Sequence, residues 1–246
     1  MLGHDNVDMV IPAAPKDYNK LPYVIDAVRE HLDIEQIHII VSDFTPMQPR
    51  TGVFYHQDEH VLPYDRTLIK HRPNWIFQML LKMLQDVTRS DWFLVIDADI
   101  IINRRINLWN KDGIPILNLG RNQYCKPYFE FNKQILGYGR VLDWSFLSEC
   151  TLYNKSLVKE MIPDMDSFWD KLVRITSKEC HLGDAEMYGS FIMHEYPGLY
   201  ELQHLNVMYR GKHDKHIWTD KEIRSALQSI RSSHSDAHLI SLHSWE

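Results

Sequence analysis

Residues 92–102 read Trp92-Phe93-Leu94-Val95-Ile96-Asp97-Ala98-Asp99-Ile100-Ile101-Ile102. Five apolar residues run into two acids spaced i and i+2, and three isoleucines follow. A short apolar run rich in aromatic and β-branched residues predicts a strand buried on both faces. Two carboxylates at its exit repel each other unless a cation lies between them. A hard divalent cation supplies that charge and takes oxygen ligands. Its open positions suit a diphosphate, whose departing negative charge it would stabilise. The plain alternative is a strand end with two solvated acids, and the surrounding sequence argues against it.

Upstream, residues 7–14 form an apolar run ending in the small residues Ala13 and Ala14, as a buried strand does when it opens into a loop. Residues 20–32 place Leu21, Val24, Ile25, Val28 and Leu32 at helical spacing. Residues 37–41 are β-branched and apolar, and Ser42-Asp43 follows. Strand, helix and strand in succession predict a parallel sheet with a right-handed crossover. Ligands of such sheets bind beyond the carboxyl ends of the strands. Ala13, Ala14, Lys16 and Asp43 therefore fall near one candidate site. Residues 45–73 read as irregular with a short strand, 74–87 as a helix carrying Trp75, Met79, Lys82 and Met83, and 114–119 as a strand.

Downstream, Tyr124 to Phe131 is an aromatic stretch of irregular character. Further strands are expected within 141–153, 200–209 and 238–242. Helices are expected over 154–162, 166–178 and 184–195, the last with Asp184 where the N-terminal dipole favours an acid. Thr219-Asp220 with Glu222 caps a helix to about residue 232. There is no repeat, low-complexity tract or linker. The expectation is one α/β domain over 1–246 with a mixed central sheet. Residues 1–120 form a Rossmann-like nucleotide-binding half, and 121–246 an appended acceptor-binding half.

Composition sets bounds. The net charge of −6, with Lys and Arg dispersed, disfavours nucleic acid as a partner. The 14 histidines show no zinc spacing, and there is no Cys-x-x-Cys. Cys125, Cys150 and Cys180 make an odd, sparse set, which favours reduced thiols and a reducing compartment. No stretch approaches the ~20 apolar residues of a membrane span. The opening Met-Leu-Gly-His-Asp lacks the basic and apolar regions of a signal peptide. A cytoplasmic location is expected.

Val95-Ile96-Asp97-Ala98-Asp99-Ile100-Ile101-Ile102, with the Val10-Ile11-Pro12-Ala13-Ala14 opening, resembles the GT-A class of glycosyltransferases. Trp75-x-x-Gln78-x-x-x-Lys82 and Asp184-Ala185-Glu186-Met187-Tyr188-Gly189 look like patterns of bacterial and large-virus members, including capsid-glycosylating enzymes of chloroviruses. The resemblance implies transfer of a sugar from a UDP- or GDP-sugar to a glycan or glycoconjugate hydroxyl, with Mn²⁺ or Mg²⁺. Asp97 and Asp99 would face the metal and the ribose or diphosphate. Asp43 would contact the base, with Ala13 and Ala14 letting the nucleotide lie close and Lys16 beside it. Arg72 and Lys82 would touch phosphate or ribose. His243 is the first choice for a further metal ligand and His213 the second. Lys212 or Arg210 would offset the leaving diphosphate. Asp184 and Glu186 are the candidates for general base, with inversion favoured because an acid pair is available. Trp144 and Glu149 are candidates to line the acceptor side.

Three rivals share parts of this pattern. Phosphatases of the haloacid dehalogenase type carry Asp-x-Asp after an apolar strand, but near the chain start and followed by Thr or Val where Ile101 stands here. Sugar nucleotidyltransferases open on a Gly-rich loop, which Ala13-Ala14-Pro15-Lys16 is not. A non-catalytic nucleotide-sugar binder would keep the shell without transfer.

Overall fold

A computed structural model describes residues 6–83, 86–120, 125–175, 181–212 and 216–244. In chain order the strands are β1 (Val7–Pro12), β2 (Ile37–Val41), β3 (Val53–Gln57), β4 (Trp92–Ile96), β5 (Ile100–Ile102), β6 (Ile116–Leu119), β7 (Cys150–Asn154), β8 (Glu201–His204), β9 (Val207–Tyr209) and β10 (Leu239–Ser241). The α-helices are α1 (Leu21–His31), α2 (Asp58–Val61), α3 (Pro73–Met83), α4 (Lys126–Leu136), α5 (Lys155–Met161), α6 (Met165–Ile175), α7 (Asp184–Glu195) and α8 (Asp220–Ser233).

The protein is mixed α/β, as expected. Its main sheet has the order β3-β2-β1-β4-β7. β3, β2, β1 and β4 are parallel, and β7 runs antiparallel to β4. All residues of β1, β2 and β4 are buried, which explains why these strands read as continuous apolar runs without alternation. Each large apolar side chain so buried contributes roughly 1.5–3 kcal/mol. The helix α1 buries Leu21, Val24, Ile25 and Val28 and leaves its charged face to solvent.

The second half does not extend this sheet beyond β7. It builds a three-stranded sheet, β5-β10-β9, and a parallel pair, β6-β8. A core running from Val7 to Leu242 joins both halves. Two expectations need correction. Residues 126–136 form the helix α4, not an irregular stretch, with Pro127 at its start and Gly137 closing it at φ +89°. That is the left-handed terminus glycine permits. Residues 200–209 form two strands in two different sheets. Among the described residues no helix is long and apolar enough to cross a membrane. Cys125 and Cys150 are free thiols; Cys180 lies outside the described residues.

Candidate active site

The acid pair sits in a turn between two sheets. The Ile100 N–H donates to the Asp97 carbonyl at 3.0 Å, so the chain turns out of β4 and enters β5. Each acid thereby meets a different antiparallel neighbour. Cys150 pairs with Ile96 in the main sheet, and one step onward in that register is Glu149 opposite Asp97. Ser241 pairs with Ile100 in the second sheet, and the Leu242 N–H donates to the Asp99 carbonyl at 2.9 Å. One residue further, His243 Nδ1 stands 2.9 Å from Asp99 Oδ2.

Asp97 is also held from α3. Lys82 Nζ lies 2.7 Å from Asp97 Oδ1, and Gln78 Nε2 donates to the same oxygen at 3.3 Å. The Lys82 side chain is 10% exposed and that of Asp97 25%. The expectation that Lys82 serves phosphate or ribose therefore meets a lysine already paired with a carboxylate. Asp99 is enclosed differently. Its Oδ1 is buried and has no hydrogen-bond partner among the described residues.

Below Asp99 lies a buried lysine that the sequence reading passed over. Lys20 Nζ donates to Asp17 Oδ1 at 2.6 Å and to the Leu242 carbonyl at 2.7 Å. Lys16 Nζ donates to the Ser244 carbonyl at 3.0 Å. These two cations hold the segment that carries His243. Lys16 thus lies at the site, reaching the tail's backbone.

The electrostatics share one cause, a crowd of carboxylates. Burial raises the Asp97 carboxyl, and Asp99 and Asp184 raise it further against the pull of Lys82. Burial, then Asp97 and Asp99, raise Glu149, although Tyr209 donates to it at 2.7 Å. Burial would lower Lys82, but Asp97, Asp184 and Glu149 raise it instead. The bond to Asp99 raises His243 despite burial. Asp99 alone is lowered: burial opposes this, but the His243 bond and the charges of Lys20 and Lys16 prevail. Surroundings that push neighbouring acids in opposite directions are a mark of functional sites.

The Asp184–Gly189 motif divides into different tasks. Asp184 begins α7, is 5% exposed, and accepts from the Tyr153 hydroxyl at 2.7 Å on Oδ2. Its charge acts on Lys82 and Asp97, so it stands close to the acid pair. Glu186, the other expected base, is engaged with a loop. It is 1% exposed, and its Oε2 accepts from the Ser145 hydroxyl and the Phe146 N–H, both at 2.8 Å. A carboxylate so engaged holds the loop that leads to Glu149. Gly189 serves the same loop. A Cβ there would stand 2.2 Å from Phe146 Cγ.

Other expected residues are placed as follows. Ala13 and Ala14 follow β1, with the Ala13 N–H donating to the Ile40 carbonyl at 2.9 Å. Asp43 follows β2, is exposed, and accepts from the Thr45 N–H at 2.8 Å, a turn bond that lowers its carboxyl. Arg72 is exposed, with its guanidinium over the Trp75 ring at 4.4 Å. The Lys212 backbone bridges Ser244, but its ammonium pairs with Glu222, away from the acid pair. The Arg210 N–H donates to the Ser241 carbonyl at 2.8 Å. His213 lies outside the described residues. Trp144 is exposed against His204. Glu149, expected only as lining, stands at the centre; the signal that places it is the β4–β7 register, which no local pattern carries.

Taken as donors, Asp97, Asp99 and His243 fit a hard divalent cation, because Asp99 keeps one oxygen unspent in a crowd of negative charge. Among the described residues, no three His, Cys, Asp or Glu side chains are gathered into a finished metal cluster. Lys82 holds Asp97 instead.

Fold and side-chain cluster define an α/β protein with an acid-rich site at the carboxyl edge of a mixed sheet. Residues 16–246 match the family of unknown function DUF6492, and the chain belongs to that family. No curated protein matches the sequence. Among solved structures it is similar to mouse xyloside xylosyltransferase 1 in its apo form, at 9% identity and a TM-score of 0.47, over 96% of this chain and 97% of that one.

Proposed function

We propose that the chain is a metal-dependent glycosyltransferase, one catalytic domain that moves a sugar from a nucleoside diphosphate donor to an acceptor hydroxyl. The observation that carries this reading is the acid pair at the β4 exit, with an unspent Asp99 oxygen and with Lys82 and His243 on its two flanks.

Asp97, Asp99 and His243 would hold Mn²⁺ or Mg²⁺, which supplies Lewis-acid stabilisation of the diphosphate. The backbone after β1 and β2, with Ala13, Ala14 and Asp43, would receive the nucleoside of a UDP- or GDP-sugar. Lys82 would trade Asp97 for a donor phosphate when the donor arrives. The acceptor oxygen forms its bond to C1 as the bond from C1 to the diphosphate oxygen breaks. The electron pair leaves on the diphosphate, and the hydroxyl proton passes to Asp184. The product is inverted at C1. Glu186 keeps the supporting role described above.

Calorimetric titration of UDP- and GDP-sugars with and without Mn²⁺ tests the reading. Binding that requires the ion, abolished in Asp99→Ala, supports it. Metal-independent binding, or none to any nucleotide sugar, overturns it. Asp184→Asn should keep donor binding and lose transfer; unchanged turnover removes Asp184 as the base.

A further inference from the structure

One cluster of rings beside the acid pair has no part in the reading above. Trp75, Gln78 and Lys82 stand at i, i+3 and i+7 on α3 and so share one stripe of that helix. Gln78 and Lys82 both reach Asp97, and Trp75 continues the same line outward. Its ring meets Tyr128 of α4 at 5.9 Å and His181, just before α7, edge-on at 5.8 Å. His181 also meets Tyr128 at 5.5 Å and stacks on His71 at 5.4 Å and 13°. All four rings remain partly exposed.

Three observations give this cluster a ligand's chemistry. First, His71 Nε2 and His181 Nδ1 are buried without a hydrogen-bond partner among the described residues. A buried polar nitrogen left so is costly, and a group from outside can supply the missing bond. Second, the exposed guanidinium of Arg72 lies over the Trp75 face at 4.4 Å, and Arg72 is held at φ +48°. A non-glycine residue at positive φ carries strain, and such strain gathers at ligand sites. Third, the cluster lies on the side of Lys82, which shares the α3 stripe with Trp75, and of Asp184; burial, then Cys125 and Asp184, push the Tyr128 hydroxyl up to about 12 against the pull of Arg72 and Lys82.

We propose that His71, Trp75, Tyr128 and His181 form the subsite for the acceptor sugar. This rests on the glycosyltransferase reading. A pyranose has a face of C–H bonds that packs on an aromatic ring and a rim of hydroxyls that bond ring nitrogens. On binding it takes the place of the Arg72 guanidinium over Trp75. Its hydroxyls pair with the two histidine nitrogens, and its nucleophilic oxygen points along the stripe toward Asp184.

Saturation-transfer NMR with a panel of methyl pyranosides tests this, with UDP and Mn²⁺ titrated separately. The wild-type protein should saturate the ring protons of at least one pyranoside. Trp75→Leu should weaken that binding at least tenfold and leave UDP affinity within twofold. His181→Phe keeps a ring stacked on His71 but removes the nitrogens, and should weaken pyranoside binding in the same way. The proposal falls if no pyranoside is saturated, if both variants bind as wild type, or if both unfold by circular dichroism. It also falls if Trp75→Leu weakens UDP instead, which would make the cluster a nucleobase stack. Pyranoside binding without any metal-dependent UDP binding would leave the subsite standing and sink the glycosyltransferase reading.

Discussion

Asp97 and Asp99 stand two residues apart, and the protein treats them in opposite ways. Asp97 faces the helix α3, where Lys82 and Gln78 already occupy one of its oxygens. Asp99 faces the C-terminal segment, where His243 takes one oxygen and the other is left unspent. Asp97 is pushed up and Asp99 down. The difference arises because the turn sends successive residues to two sheets, each with its own neighbours. Its lesson is that one acid is held in reserve by an internal cation while the other stays available to an external one.

The largest test of this comparison is a pair of substitutions. Asp99→Ala should cost roughly 100-fold or more in turnover, on the scale of losing a group that stabilises the leaving charge. Asp97→Ala should cost less, because the freed Lys82 still offers its charge to a donor phosphate. Equal losses in steady-state assays would break the asymmetry. Next comes Lys82→Met. It strands Asp97 without its cation; removing one partner of a fully buried pair costs roughly 3–5 kcal/mol, and less here because the Asp97 side chain is 25% exposed. Urea denaturation should show the loss, and the protein should recover part of it when Mn²⁺ is added. No recovery would mean that the ion does not reach Asp97.

Away from the acids, Gly189→Ala sharpens the point that α7 supports the site as well as serving it. The new Cβ would strike Phe146. Overpacking of this kind costs about 1–3 kcal/mol. Thermal melting should fall while Asp184 remains in place, and turnover should drop through displacement of Glu149. The smallest effect concerns Asp8 of β1, a buried carboxylate held through its Oδ2. It accepts from the Arg89 and Ser90 N–H groups at 2.7 and 3.0 Å, with His38 Nε2 at 3.7 Å. Burial opposes ionisation, but these partners lower the carboxyl to about 2. A folded-state value below the unfolded one stabilises the protein above about pH 4, by about 2 kcal/mol, and that gain is lost as pH falls toward 2. Asp8→Asn should flatten stability across pH 2–5 and leave turnover at pH 7 unchanged. A retained acid transition would assign the loss to other carboxylates.

Much of the first half was legible because a buried parallel strand announces itself by composition. β4 covers Trp92–Ile96 as its apolar run predicts, and β2 covers Ile37–Val41. The cap at Thr219 with Glu222 was equally readable, since both partners lie within one turn, and the capping box is formed. The helix α4 was missed because its aromatic residues and Pro127 hide an amphipathic pattern that buries Phe129, Phe131 and Asn132. The surroundings of Glu186 were hidden for a related reason. An acid in the first turn of a helix looks the same whether it faces a cleft or a loop, and here it faces the loop through Ser145 and Phe146.

The sequence by itself determined that an acid pair ends a buried strand in an α/β protein, because burial and charge at a strand exit are local properties of eleven consecutive residues. Only the tertiary structure decided which groups surround that pair. Glu149 arrives by the β4–β7 register, His243 by the β5–β10 register, and Lys20 through a contact with the chain 222 residues away. Antiparallel register and long-range packing depend on the whole core and leave no trace in any short window of sequence.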